Sequence, residues 1–211
     1  MNKFVLTAIL ALTAPFGSAE AKFAGGQAVC GAVTNHYGPF DYRTSTPELR
    51  ATVEPFHLTT KVLMLREGQT GTLGHDIGYT LRAFPNHPTA LTLMSRLAIR
   101  EGRSLLPGAI YSVECFFDRA ERFAPDDPTV YLLWGLHLAR SGNHADAPAA
   151  LDRAAELGSE NDAPFQYNLG LGYLEVKRYE QARAAAQRAY SQGFPLPGLR
   201  DRLKKAGQWK E

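Results

Sequence analysis

The protein has 211 residues, 45% of them apolar, and a formal net charge of +2. That composition suits one domain of ordinary size. Its two cysteines, Cys30 and Cys115, lie 85 positions apart, which excludes a Cys-x-x-Cys redox motif and a cysteine zinc site.

The N-terminus carries Lys3, an apolar run over Phe4–Phe16 and a small-x-small site at Ala19-Glu20-Ala21. Together these predict a cleaved signal over residues 1–21 and export to the periplasm of a Gram-negative-type cell. The run is too short to span a bilayer, and no later stretch predicts a membrane helix. Export argues against nucleic acid as a partner. The charge is split along the chain. Residues 22–176 hold 13 basic and 17 acidic residues, whereas residues 177–211 hold 9 and 3. The basic end reads as a solvated helix face.

Residues 22–75 predict an arm with short helices. Tyr37, Phe40 and Tyr42 cluster around Gly38-Pro39, and such aromatics bury against something. Thr46-Pro47-Glu48 has the order of a helix start, and Pro55 is expected to end that helix. A second segment runs from Thr59 or Thr60 to Gly68, followed by a Gly/Thr loop over Gln69–Gly74. Residues 76–208 predict helical repeats. Asp76–Phe84 ends in Pro85-Asn86-His87-Pro88, and the same punctuation returns as Pro125-Asp126-Asp127-Pro128. Between them, Thr89–Arg100 places Leu91, Met94, Leu97 and Ala98 inward. Ala109–Phe123 places Val113, Phe117 and Ala120 inward. Glu101–Pro107 reads as an insertion.

The clearest pattern spans Asp127–Tyr190. Tyr131, Trp134, Gly135 and Leu138 are followed by a turn at Ser141-Gly142-Asn143, then by Ala147, Leu151, Ala154 and Leu157. Leu169, Gly170 and Tyr173 repeat the first set, and Ala182, Ala186 and Ala189 the second. Gly135 and Gly170 are expected where helices approach closely. Pro197–Gly207, with Leu199 and Leu203 on one face, predicts a solvated cap helix. This pattern resembles the tetratricopeptide (TPR) repeat, with a period one residue longer than usual. The resemblance implies an all-α superhelix of antiparallel helix pairs, about three repeats plus a half-repeat and a cap. It also looks similar to exported bacterial proteins of that type.

The resemblance implies a groove lined mainly by the first helix of each pair, taking another protein or peptide as partner. The residues expected to line it are Leu132, Leu136, Arg140, Tyr167, Asn168, Leu171 and Leu174. Only Arg140 and Asn168 suit a clamp for a carboxylate, so an amphipathic helix or an aromatic-bearing strand is the expected guest. The expected role is an adaptor or assembly factor for an envelope complex. One alternative is a structural subunit whose groove is filled by Tyr37–Tyr42. Another is an enzyme or small-ligand binder using His36, Asp41, His57, His75 and Asp76 within residues 36–87. No nucleophile, base and orienter stand in recognisable order there. No catalytic residue, cofactor or metal is therefore expected. Finally, an oxidising compartment favours a Cys30–Cys115 bond over two free thiols. Cys115 lies two positions from both Val113 and Phe117, which points it away from the inward face, where the arm can reach it.

Overall fold

The computed structural model describes residues 30–209, and the expected signal over residues 1–21 lies outside them. Eleven helices form among the described residues. Three are short: α1 (Pro47–Ala51), α2 (Glu54–His57) and α3 (Thr60–Leu63). The rest are α4 (Leu73–Ala83), α5 (Pro88–Glu101), α6 (Val113–Phe123), α7 (Pro128–Arg140), α8 (Ala147–Leu157), α9 (Ala163–Glu175), α10 (Tyr179–Ser191) and α11 (Gly198–Lys205). The chain is all-helical through these residues, in packed pairs.

Caps fix the boundaries and correct several expected ones. Thr72 accepts from His75 N at 3.2 Å, so α4 begins ahead of Asp76. Ser112 accepts from Cys115 N at 3.3 Å, which starts α6 at Val113 rather than Ala109. α5 runs through Glu101 and stops at Gly102, whose φ of 62° is the left-handed turn that favours glycine. The long connection is therefore residues 102–112. Pro55 does not end the helix begun at Pro47. It stands in the first turn of α2, where a missing N–H costs nothing.

α5, α7 and α9 lie side by side, backed by α6, α8 and α10. Val113, Phe117 and Ala120 are fully buried, as are Leu91 and Met94. The small residues Ala147, Ala154, Ala182 and Ala189 are fully buried as well and let the second helices sit close. A Cβ on Gly135 would stand 2.7 Å from Leu151 Cδ2, and one on Gly170 would stand 2.5 Å from Leu199 Cδ2. Leu199 and Leu203 close the array by burying against α9 and α10.

The arm packs at the other end. Phe40 N donates to Ala83 O at 2.9 Å. Gly38 makes that approach possible, because a Cβ there would stand 2.5 Å from the same carbonyl. Tyr37, Phe40 and Tyr42 cover Val53, Ala83 and Phe84. Asn86 then ties three segments together: it accepts from Tyr42 N at 2.9 Å and donates to Asp41 at 2.8 Å and Asp127 at 2.9 Å. Cys30 and Cys115 are bonded, with Cα atoms 5.0 Å apart. Closing a loop of that length stabilises by roughly 4–5 kcal/mol in the chain-entropy picture. Cys115 points to the arm, yet it is buried because the arm covers it.

Gly170→Leu should overpack the contact with Leu199 and the Ala182 carbonyl and cost about 1–3 kcal/mol. Urea unfolding of the variant measures this, and an unchanged midpoint would refute the close approach.

Candidate interaction face

α7 and α9 are covered on most sides, so little of each reaches solvent. On α7 the partly or fully exposed residues of the outer side are Thr129, Leu133 and Arg140. On α9 they are Pro164, Asn168, Leu171 and Glu175, and on α5 Thr92, Arg96 and Ile99. Each set recurs at helical spacing, so each lies on one side of its own helix.

Of the expected groove residues, Arg140 and Asn168 are exposed and Leu171 is half-buried. Leu132, Leu136, Tyr167 and Leu174 are at most 8% exposed. They do not line an open apolar groove, because they fill the seam between successive pairs. Leu136 reaches the bare backbone at Gly172. Tyr167 is covered by Phe194, with ring centroids 4.5 Å apart. Nor does the arm fill a groove: Tyr37–Tyr42 sits on α4 and the loop before α5, away from α7 and α9. The open face is mixed in character, with Leu133, Leu171 and Ile99 set among Arg96, Arg140, Asn168 and Glu175.

One end of this face deepens into a cleft of about 380 Å³ where α5 and α7 end and α6 begins. Arg103, Arg140, Glu114 and His137 line it with Ile99, Ser104 and Ser141. The two guanidiniums stand at helix C-termini and Glu114 at an N-terminus, where the backbone dipoles favour those signs. Burial works against the Glu114 charge, but hydrogen bonds from Ser104, the Glu114 backbone and Ser112 outweigh it and hold the carboxyl low. His137 is nearly enclosed, stacked on Trp134, and its Nδ1 lies 2.9 Å from Ser95 Oγ. Burial pushes its pKa down, against the raising effect of the Glu114 charge. Sequence spacing gave no sign of this pair.

His57 and His87, within residues 36–87, have structural partners. Asp76 is fully buried and accepts from Gln69 N at 2.6 Å and Thr70 Oγ1 at 2.5 Å, with His57 Nδ1 at 2.8 Å. Burial raises its pKa, but the bonds from Thr70, His57 and Gln69 win and lower it. Asp76 thereby folds the Gly68–Gly74 loop back onto α4. His87 caps α5 by accepting from Ala90 N, stacks on Tyr42 at 4.0 Å, and presents Nε2 3.3 Å from Glu54. Among the described residues no group of three or more His, Cys, Asp or Glu could hold a metal ion. No protein-family model, curated protein or solved structure matches the chain.

Buried His87 and partly buried Glu121 titrate in opposite senses. Burial pushes His87 from 6.5 down to about 4. The unfolded chain takes that proton first, so stability falls as pH drops from 6.5 towards 4. Burial pushes Glu121 from 4.5 up to about 7. The folded chain keeps that proton, so stability falls as pH rises from 4.5 towards 7. The two effects oppose each other, and that of the partly exposed Glu121 is weakened by solvent screening. Glu121→Gln should therefore lose stability steeply between pH 6.5 and 4, while His87→Asn should gain it. Urea midpoints across that range measure both, and parallel profiles in the two variants would contradict the assignment.

Proposed function

We propose that the chain is an exported protein-interaction module of the tetratricopeptide type, serving as an adaptor or assembly factor in the cell envelope. The observation that carries the reading is that α5, α7 and α9, packed side by side, each keep a short row of accessible residues along one side. Leu133 and Leu171 offer partly exposed apolar surface, and Arg96, Arg140 and Asn168 offer exposed polar groups around it. A mixed strip of that kind suits an amphipathic helix or an extended aromatic segment, whose apolar side meets the leucines and whose backbone or polar side meets the rest. Chemistry gains no comparable support, since Asp76, His57 and His87 are engaged in loop closure and capping.

Export is supported by the apolar N-terminal run and its small-x-small site, and by the Cys30–Cys115 bond, which belongs to an oxidising compartment. No helix among the described residues is long and apolar enough to cross a membrane.

The test is affinity capture from periplasmic extract with the oxidised protein and with Asn168→Arg/Leu171→Glu as baits. The expected result is a partner retained by the first bait and lost by at least tenfold with the second, while both give the same far-UV spectrum. Equal retention by both baits, or no partner for either, would overturn the reading.

A further inference from the structure

The side of α6 under the arm holds an arrangement that the interaction face does not use. Arg119 is among the largest fully buried side chains, only 1% exposed. Its Nη1 donates to the carbonyl of Cys30 at 3.3 Å and to that of Ala32. Its guanidinium lies over the Tyr111 ring, 4.3 Å from the centroid. The remaining edge, Nε and Nη2, is buried and meets no acceptor. Those two N–H groups form the side-on fork of a guanidinium, whose spacing matches two oxygens of a carboxylate or phosphate.

A second guanidinium lies close enough for its charge to act on Arg119, and packs over the Tyr79 ring at 5.5 Å. Arg82 comes from the last turn of α4, and its Nη1 is also buried without an acceptor. Arg82 and Arg119 both feel the Tyr111 phenol, and their charges repel one another. Burial lowers the pKa of both. The Asp118 carboxylate is engaged by Arg122 at 2.6 and 2.9 Å, and Arg122 also donates to the Gly31 carbonyl at 2.9 Å. Arg119 thus feels two further cations, Arg82 and Arg122, against the one carboxylate of Asp118, which Arg122 engages. A buried charge needs an opposite charge, and a water molecule answers the hydrogen bonds but not the repulsion.

We propose that Arg119 and Arg82 form a binding site, around Tyr111, for a small oxyanion of the carboxylate or phosphate class. Arg119 receives two oxygens through Nε and Nη2, and Arg82 receives one through Nη1. Cys30, Gly31 and Ala32 close over the site through their carbonyls, and the Cys30–Cys115 bond keeps that segment in place. The anion therefore enters when the segment lifts, and exchanges slowly while the bond is intact.

The experiment uses the full chain, refolded and reoxidised in sodium phosphate, sodium acetate or sodium chloride at equal ionic strength. The readouts are the melting temperature and the Nε–Hε resonance of Arg119. The expected result is a rise of about 5 °C in phosphate or acetate that saturates with concentration, with a matching displacement of the Arg119 resonance. Response to phosphate alone assigns a tetrahedral ligand, and response to acetate a planar carboxylate. Arg82→Gln and Arg119→Lys should each lose the saturable rise. If Arg119→Lys fails to fold, Arg82→Gln alone carries the comparison. A rise that does not saturate and is equal in Arg82→Gln is general salt exclusion. That result, or an Arg119 resonance unmoved by both anions, would overturn the proposal.

Discussion

The helix pairs depend on one side chain more than any other. Leu151 is fully buried on α8 and faces the backbone of two neighbours at once. A Cβ on Gly135 of α7 would stand 2.7 Å from its Cδ2, and a Cβ on Gly172 of α9 would stand 2.6 Å from the same atom. The two glycines leave a socket on either side of one leucine, so α8 joins its own partner helix to the next pair. A helix of about a dozen residues is marginal alone in water, and it is packing of this kind that holds it. The seam continues outward through Leu132 and Leu136 and brings α7 and α9 into register. Leu133 and Leu171 pack against the same cluster while staying partly exposed.

The N-terminal end is held by different physics. There the chain uses polar ties more than apolar area. Asn86, Asp41, Asp127 and Arg43 connect the arm to the loops before α5 and α7, and Asp76 collects the loop before α4. Arg43 is the largest influence holding Asp41 well below the usual carboxylate range, at about 2. The disulfide reinforces this end, where the helices α1 to α3 are too short to stand alone. The array is thus closed at one end by the apolar face of α11 and at the other by a stapled, hydrogen-bonded arm.

Much of this was legible in the sequence. Gly135 and Gly170 stand out among large residues, and their alternation with alanine-rich segments shows helix pairs directly. Cys30 and Cys115 had only each other, and their pairing brought the arm to α6. The face was harder to read. α7 and α9 are apolar nearly all round, so periodicity cannot say which leucine remains outside. Leu132 is one position and Leu136 three positions from Leu133, and only the packing of a third helix decides between them. Arg119 gave no signal either. A lone arginine on an amphipathic helix reads as solvated until the arm is laid over it.

Native-state hydrogen exchange on Leu151→Ala tests the account most directly. If Leu151 couples consecutive pairs, amides of both α7 and α9 should lose protection together with α8, by the same free energy. Loss confined to α8, with α7 and α9 protected as before, would contradict it.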